Sequence, residues 1–274
     1  MAKSVNAREG EIASQFARIL ENVRWNLEEN FPQAFSANCD EKRFSANMGT
    51  SRRACLNALQ KGMAIFRFEG DANKAKIAFA EGAFYISQYP LLVRSLEAEG
   101  IGDPAFARFR FSELFEPFFC GLLAGQKECC DVVVASSLSA IFQGQDPEPN
   151  VESPLLIRSL AMFSNDDTRF DSYPIGKLPE KTLYPVHFEI LDAIRGSNNE
   201  RVNALLARAE TEYLARGKSR GDRYPLGYGG GKIYNALCFD FIAAGLARIA
   251  LLRGIEVKID SEIIPAAFFQ HWST

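Results

Sequence analysis

The sequence is poor in the residues that most often carry chemistry. It has two histidines, His187 and His271, and its six cysteines form no C-x-x-C pair. Tetrahedral zinc sites are assembled from such pairs and from closely spaced histidines, so no metal and no cofactor is expected. No window of about 18 uninterrupted apolar residues occurs, which argues against a membrane-spanning helix. The opening stretch, MAKSVNAREGEIASQF, lacks the apolar run and small-residue cleavage site of a secretory signal. A cytoplasmic location is expected, and in that reducing compartment Cys39, Cys55, Cys120, Cys129, Cys130 and Cys238 read as free thiols. An excess of positive charge is also missing. Lys and Arg total 31 against 34 Asp and Glu, a net charge of -3, which argues against a protein built to grip nucleic-acid phosphates.

What is abundant is apolar. Hydrophobic residues make up 47% of the 274, and 22 are Phe, which can be buried without finding a partner for a polar group. Their spacing is helical. Ile12, Phe16, Ile19, Leu20, Val23 and Leu27 mark one face of a helix from Ala7 to Glu29, before Pro32. Leu56, Leu59, Met63 and Phe66 repeat the pattern over Ser51 to Phe68; Gly70 then gives a stop and Asp71 a new N-cap for a helix to about Tyr89. Pro90 and Pro104 open two more, because a first-turn residue needs no N–H. Pro117 should kink or break the second of these. Further helices are expected over Glu128 to Phe142, from Ser153-Pro154 to about Ser164, and over Val186 to Arg195.

Ser197 and Glu200 stand at capping-box spacing ahead of VNALLARAETEYLARG. A last long helix should run from Lys232 to Arg253 and close on Gly254 in a left-handed cap. A short extended piece, IEVKI, and a terminal helical turn follow. The sum is an all-α chain of about ten helices, an irregular bundle or stacked antiparallel pairs. It is read as one domain over residues 1–274, with a possible division at the loop 143–153 into 1–142 and 154–274.

Each candidate site lacks a partner. Gly227-Tyr228-Gly229-Gly230-Gly231-Lys232 suggests a phosphate loop opening a helix, but Leu226 and Ile233 stand where that motif needs Gly and Ser or Thr. A flexible loop is the alternative. His187 and Glu189 form the first half of a zinc-deaminase pattern whose Pro-Cys-x-x-Cys half is absent, leaving a packed or surface histidine as the other reading. Cys129 and Cys130 lie beside Lys127 near a helix start, a setting that lowers a thiol pKa, although a nucleophile would still need a base. The plainer reading makes them small core residues.

Charge is more informative by segment. Gln143 to Asp171 carries Asp146, Glu148, Glu152, Asp166, Asp167 and Asp171 against Arg158 and Arg169. An acidic loop of this kind can steer a basic partner, or be no more than a solvated loop. Arg216, Lys218, Arg220 and Arg223 form an opposite patch.

The stretch GLARIALLRGIEVKIDSEIIPAAFF, with Leu246, Ala247, Leu251, Arg253, Gly254, Ile255, Ile264 and Pro265, resembles the C-terminal signature of the immunity protein 49 family of bacterial polymorphic toxin systems. HFEILDAIRGSNNERVNALLARAE is similar to the middle of that family. The resemblance spans about Val186 to Phe269 and implies a non-enzymatic antitoxin whose partner is a cognate toxin domain acting in the cytosol. The residues expected to meet the toxin are Asp166, Asp167 and Asp171, with the neighbouring aromatics Phe170 and Tyr173. A helical scaffold that binds another protein or a peptide is the alternative, and an all-helical hydrolase with a dispersed site is a third reading. The oligomeric state is left open.

Overall fold

The computed structural model describes residues 55–56, 58–63, 65–66, 69–87, 114–137, 152–165, 185–219 and 239–270. The expected helices over 7–29 and after Pro90 and Pro104 lie outside them up to residue 113, as do residues 143–151 of the expected loop, whose last two residues, Glu152 and Ser153, are helical instead. Among the described residues the protein is helical, with no strand.

The described positions between 55 and 69 are helical and bury Leu56, Leu59 and Met63, as their spacing predicts. Gly70 turns the chain with φ +68, and the Asp71 carboxylate accepts the Lys74 N–H at 3.0 Å, capping α1 (Ala72–Ser87). The hairpin is tight: a Cβ on Gly62 would stand 2.3 Å from the Phe79 ring.

Helix α2 (Phe115–Ala124) is buried along its whole length. Pro117 neither kinks nor breaks it. It lies in the first turn, where its missing N–H would have had no carbonyl to meet. Gly125, at φ +74, ends α2 in a Schellman turn in which the Gln126 N–H donates to the Gly121 carbonyl at 2.9 Å. Helix α3 (Lys127–Ser137) then returns antiparallel, and the β-branched run VVV is helical, not a strand. Helix α4 (Glu152–Ser164) ends on Asn165 at φ +56, a left-handed residue of the type that tolerates it.

Between α5 (Pro185–Arg195) and α6 (Asn199–Ser219) the expected capping box does not form, because the N-cap falls one residue later and Arg201 stands at the third helical position. Ser197, at φ +49, is the left-handed residue that closes α5, and the Asn198 N–H donates to the Ala193 carbonyl at 3.1 Å. The N-cap of α6 is Asn198, whose side-chain oxygen accepts the Arg201 N–H at 2.9 Å. Closing the first helix takes Ser197, so the second is capped by its neighbour.

The last long helix also begins later than the sequence suggests. Helix α7 (Phe241–Leu252) starts nine residues beyond Lys232, because Asp240 is its N-cap and accepts the Ala243 N–H at 2.9 Å. The Gly-rich stretch 227–232 therefore does not form the N-terminus of α7, and it lies outside the described residues. Gly254 closes α7 as expected, at φ +76, with the Ile255 N–H on the Ala250 carbonyl at 2.9 Å. Residues 255–260 then run without helix or sheet pairing among the described residues. Asn203 of α6 brackets that segment, donating to the Glu256 carbonyl and accepting the Lys258 N–H, both at 2.7 Å. A 3₁₀ turn, Ala266–Phe268, completes the described chain.

Helix α7 is the axis of the bundle, with Phe241 to Ala250 all buried. Phe115 and Phe119 of α2 stand 6.3 and 5.9 Å from Phe241, and a Cβ on Gly245 would meet Phe119 at 2.5 Å and Leu122 at 3.3 Å. The two helices therefore run parallel and in close contact. One apolar cluster extends from Cys55 to Phe269 and includes residues from both sides of 143–153.

Gly245 gives a test of this packing. In an ordinary helix Gly to Ala is stabilising by up to about 1 kcal/mol. Here the added methyl meets a buried ring, so Gly245→Ala is expected to destabilise the fold by about 1–3 kcal/mol in urea unfolding. A stabilised variant would contradict the close approach of α2 and α7.

Candidate functional site

Three helices begin at one end of the bundle. Phe115 and Phe241 bring the starts of α2 and α7 together. His187, in the first turn of α5, lies with Nε2 3.0 Å from Oδ2 of Asp240. Helix α6 runs back from α5, and Asn203 near its start meets the segment just past the end of α7, so α5 and α7 point the same way. Helix α4 runs against them. Its Arg158 pairs with Asp192 at 3.3 Å and lies 5.3 Å over the Phe188 ring, while Phe163 near its end meets Phe118 in the first turn of α2.

The helix-starting end carries buried polar side chains: Glu116 at 4% exposure, His187 at 1% and Asp240 at 2%. Helix N-termini favour negative charge through their aligned dipoles and unmated N–H groups, so carboxylates belong there. Asp240 does most at this point. One oxygen caps α7 and the other holds His187, while its own N–H donates to the Ile263 carbonyl at 2.8 Å. A carboxylate fixing an imidazole is also how general bases are oriented. In this fold both groups are shut from solvent and join three parts of the chain.

His187 is thus packed, one of the two readings its sequence context allowed. Glu189 does not share its surroundings. Two residues along a helix point in different directions, and Glu189 forms an exposed ion pair with Arg208 at 2.9 Å.

A second buried polar centre lies in the middle of α7. The guanidinium of Arg248, 1% exposed, donates from Nε and Nη2 to the Phe268 carbonyl at 3.1 and 2.6 Å. Burial lowers its pKa to about 10, opposed by the neighbouring Cys130, so it stays charged at neutral pH. The same positive charge adds to the effect of burial in lowering Lys76. Arg248 ties the C-terminal turn down onto α7.

Of the adjacent thiols of α3, Cys130 is a core residue and Cys129 is half-buried against the core. Cys130 is fully buried, with its Sγ 3.8 Å from the Phe118 carbonyl. Burial, then the charges of Cys129 and Asp131, push its pKa well above the ordinary value, opposite to activation. Lys127 is engaged elsewhere, with Asp131 at 2.6 Å.

Asp166, Asp167, Phe170, Asp171 and Tyr173 lie outside the described residues, as does His271. Among the described residues no group of three or more His, Cys, Asp or Glu could hold a metal ion, and no helix is long and apolar enough to cross a membrane. Sequence reasoning missed Asp240 and Arg248. Arg248 had a signal, as the one charged residue in FIAAGLARIALL.

No family model matches this chain, and neither a curated protein nor a solved structure does.

The raised Cys130 pKa sets a pH dependence. Stability from this group is full below the unfolded thiol value of about 8.5, where both states are protonated. Above it the unfolded chain loses a proton that the folded chain keeps, so stability falls by up to about 1.4 kcal/mol per pH unit. Urea unfolding between pH 7.5 and 9.5 should therefore show a steeper decline for the parent than for Cys130→Ala. Equal slopes would contradict a buried, protonated thiol.

Proposed function

We propose that this protein is an immunity protein that binds and neutralises a toxin domain acting in the cytosol, as the C-terminal resemblance implies. The observation that carries the reading is the locked helix-starting end of the bundle, where Asp240 holds α5 and α7 together and beside which the chain bearing the acidic residues attaches. Segment 166–184 leaves the frame after Asn165 and rejoins it at Pro185, the first residue of α5. Segment 220–238 rejoins it at Phe239, next to the Asp240 that holds α5 and α7 together. Both return at the helix-starting end, within two residues of the buried His187–Asp240 pair. Contact residues carried next to a rigid base lose less entropy when they dock.

The commitments of the buried polar groups support the same reading. Asp240 caps a helix, His187 pairs with it, Arg248 holds a carbonyl, and Cys130 is kept protonated. An inhibitor needs a stiff frame and charge complementarity, not a reactive group. The acidic residues Asp166, Asp167 and Asp171 would face a basic surface of the toxin, flanked by Phe170 and Tyr173.

The test is co-expression with the toxin domain encoded beside this gene. Growth should be restored, and the purified pair should bind with a Kd of about 1 nM or tighter; a toxin that remains fully lethal would rule the reading out. Replacing Asp166, Asp167 and Asp171 together by Asn should slow association by about tenfold or more at low salt, with the difference shrinking as salt is raised. An unchanged rate would remove the acidic segment from the interface.

A further inference from the structure

Two thiols that are far apart in sequence meet in the core. Cys55, in the helical stretch 55–69, and Cys120, in the middle of α2, have their Sγ atoms 4.0 Å apart across 65 residues of sequence. Both are buried, at 1% and 0% exposure. The space around Cys55 is set by Gly82 of α1. A Cβ there would stand 3.5 Å from the Cys55 sulfur and 3.1 Å from Ala58, so the missing side chain lets three helical segments close around this pair.

We propose that Cys55 and Cys120 are a disulfide-forming pair, closed by a peroxide and reopened by thiol reductants. Two sulfurs already facing each other need about 2 Å of further approach to bond, a distance within reach of side-chain rotation. The oxidant must be small and uncharged to enter the core, and hydrogen peroxide is both. In the first step one sulfur attacks a peroxide oxygen, the O–O bond breaks, and the departing hydroxide takes the thiol proton as water, leaving a sulfenic acid. In the second, the other sulfur attacks the sulfenic sulfur, the S–O bond breaks, and its proton leaves with the hydroxide as a second water. The balance is two thiols and one peroxide giving one disulfide and two waters.

The link would fasten the 55–69 stretch to α2 by a covalent bond. Because it would close a long loop, it should constrain the unfolded chain and raise the melting temperature. Cys129 and Cys130 are adjacent in sequence and on successive positions of α3, so they point in different directions and are not expected to compete.

The experiment treats the native, full-length protein with hydrogen peroxide, blocks remaining thiols with iodoacetamide, and maps disulfides by peptide mass spectrometry without reduction. The proposal expects a loss of about 2 Da, as two thiol hydrogens leave, with a cross-linked peptide containing Cys55 and Cys120. It also expects a melting temperature higher by on the order of 5 °C, reversed by dithiothreitol. Cys129→Ser should behave as the parent does. Cys55 and Cys120 recovered in alkylated form, oxidised to sulfinic acids, or joined to other cysteines would each overturn it. The measurement on the parent protein decides the matter even if a Cys120 variant fails to fold.

Discussion

From Phe241 to Ala250 helix α7 is buried on every side, so its start has no water to complete it, and this constraint organises much of the molecule. Its first N–H groups must be satisfied by the protein itself, while its last turn, with Leu252 exposed, reaches the surface. Asp240 does this at the start, and the Gly254 turn closes the end. Arg248, between them, must spend its donors inside, and it does so on the Phe268 carbonyl. Each solution recruits another segment. Asp240 brings in His187 of α5 and the Ile263 carbonyl, and Arg248 brings down the terminal turn. Leaving such a group buried and unmated costs about 1–3 kcal/mol, and more when it is charged. The polar residues of the core are therefore conditions of this helix packing, not additions to it.

The same arrangement gives the helix-starting end its character. Helices α2, α5 and α7 begin together there, with Glu116 in the first turn of α2 and Asp240 capping α7. Their starts are locked by Phe115 against Phe241 and by the His187–Asp240 pair. A rigid end beside which the acidic stretch attaches is a sound base for recognition. The proposed inhibitor role draws on that stiffness, with the specificity assigned to that stretch.

Local signals were legible in the sequence. Gly70 followed by Asp71, and Gly254 after an Ala- and Leu-rich helix, each specify a stop or start within a few residues. The core face of 55–69 followed from its spacing. Where two residues could serve the same local purpose, the sequence did not choose between them. Ser197 and Asn198 are both good caps, and only the geometry of the α5 terminus assigns Ser197 to one helix and Asn198 to the next. The start of α7 was hidden because Asp240 sits in an apolar run, IYNALCFDFIAAG, whose periodicity continues past it. What identifies Asp240 as a cap is tertiary: its links to His187, 53 residues earlier, and to Ile263. The resemblance to an immunity family rested on core and cap residues such as Leu246, Ala247 and Gly254, which testify to packing and carry no site.

Native-state hydrogen exchange across α7 tests the central claim most directly. If α7 is the axis on which the bundle depends, the amides of Ala244 to Ala250 should be among the slowest in the protein and exchange only through global unfolding, with free energies equal to the unfolding value from urea. Exchange of those amides through local opening, faster than in the partly exposed helix α6, would contradict it.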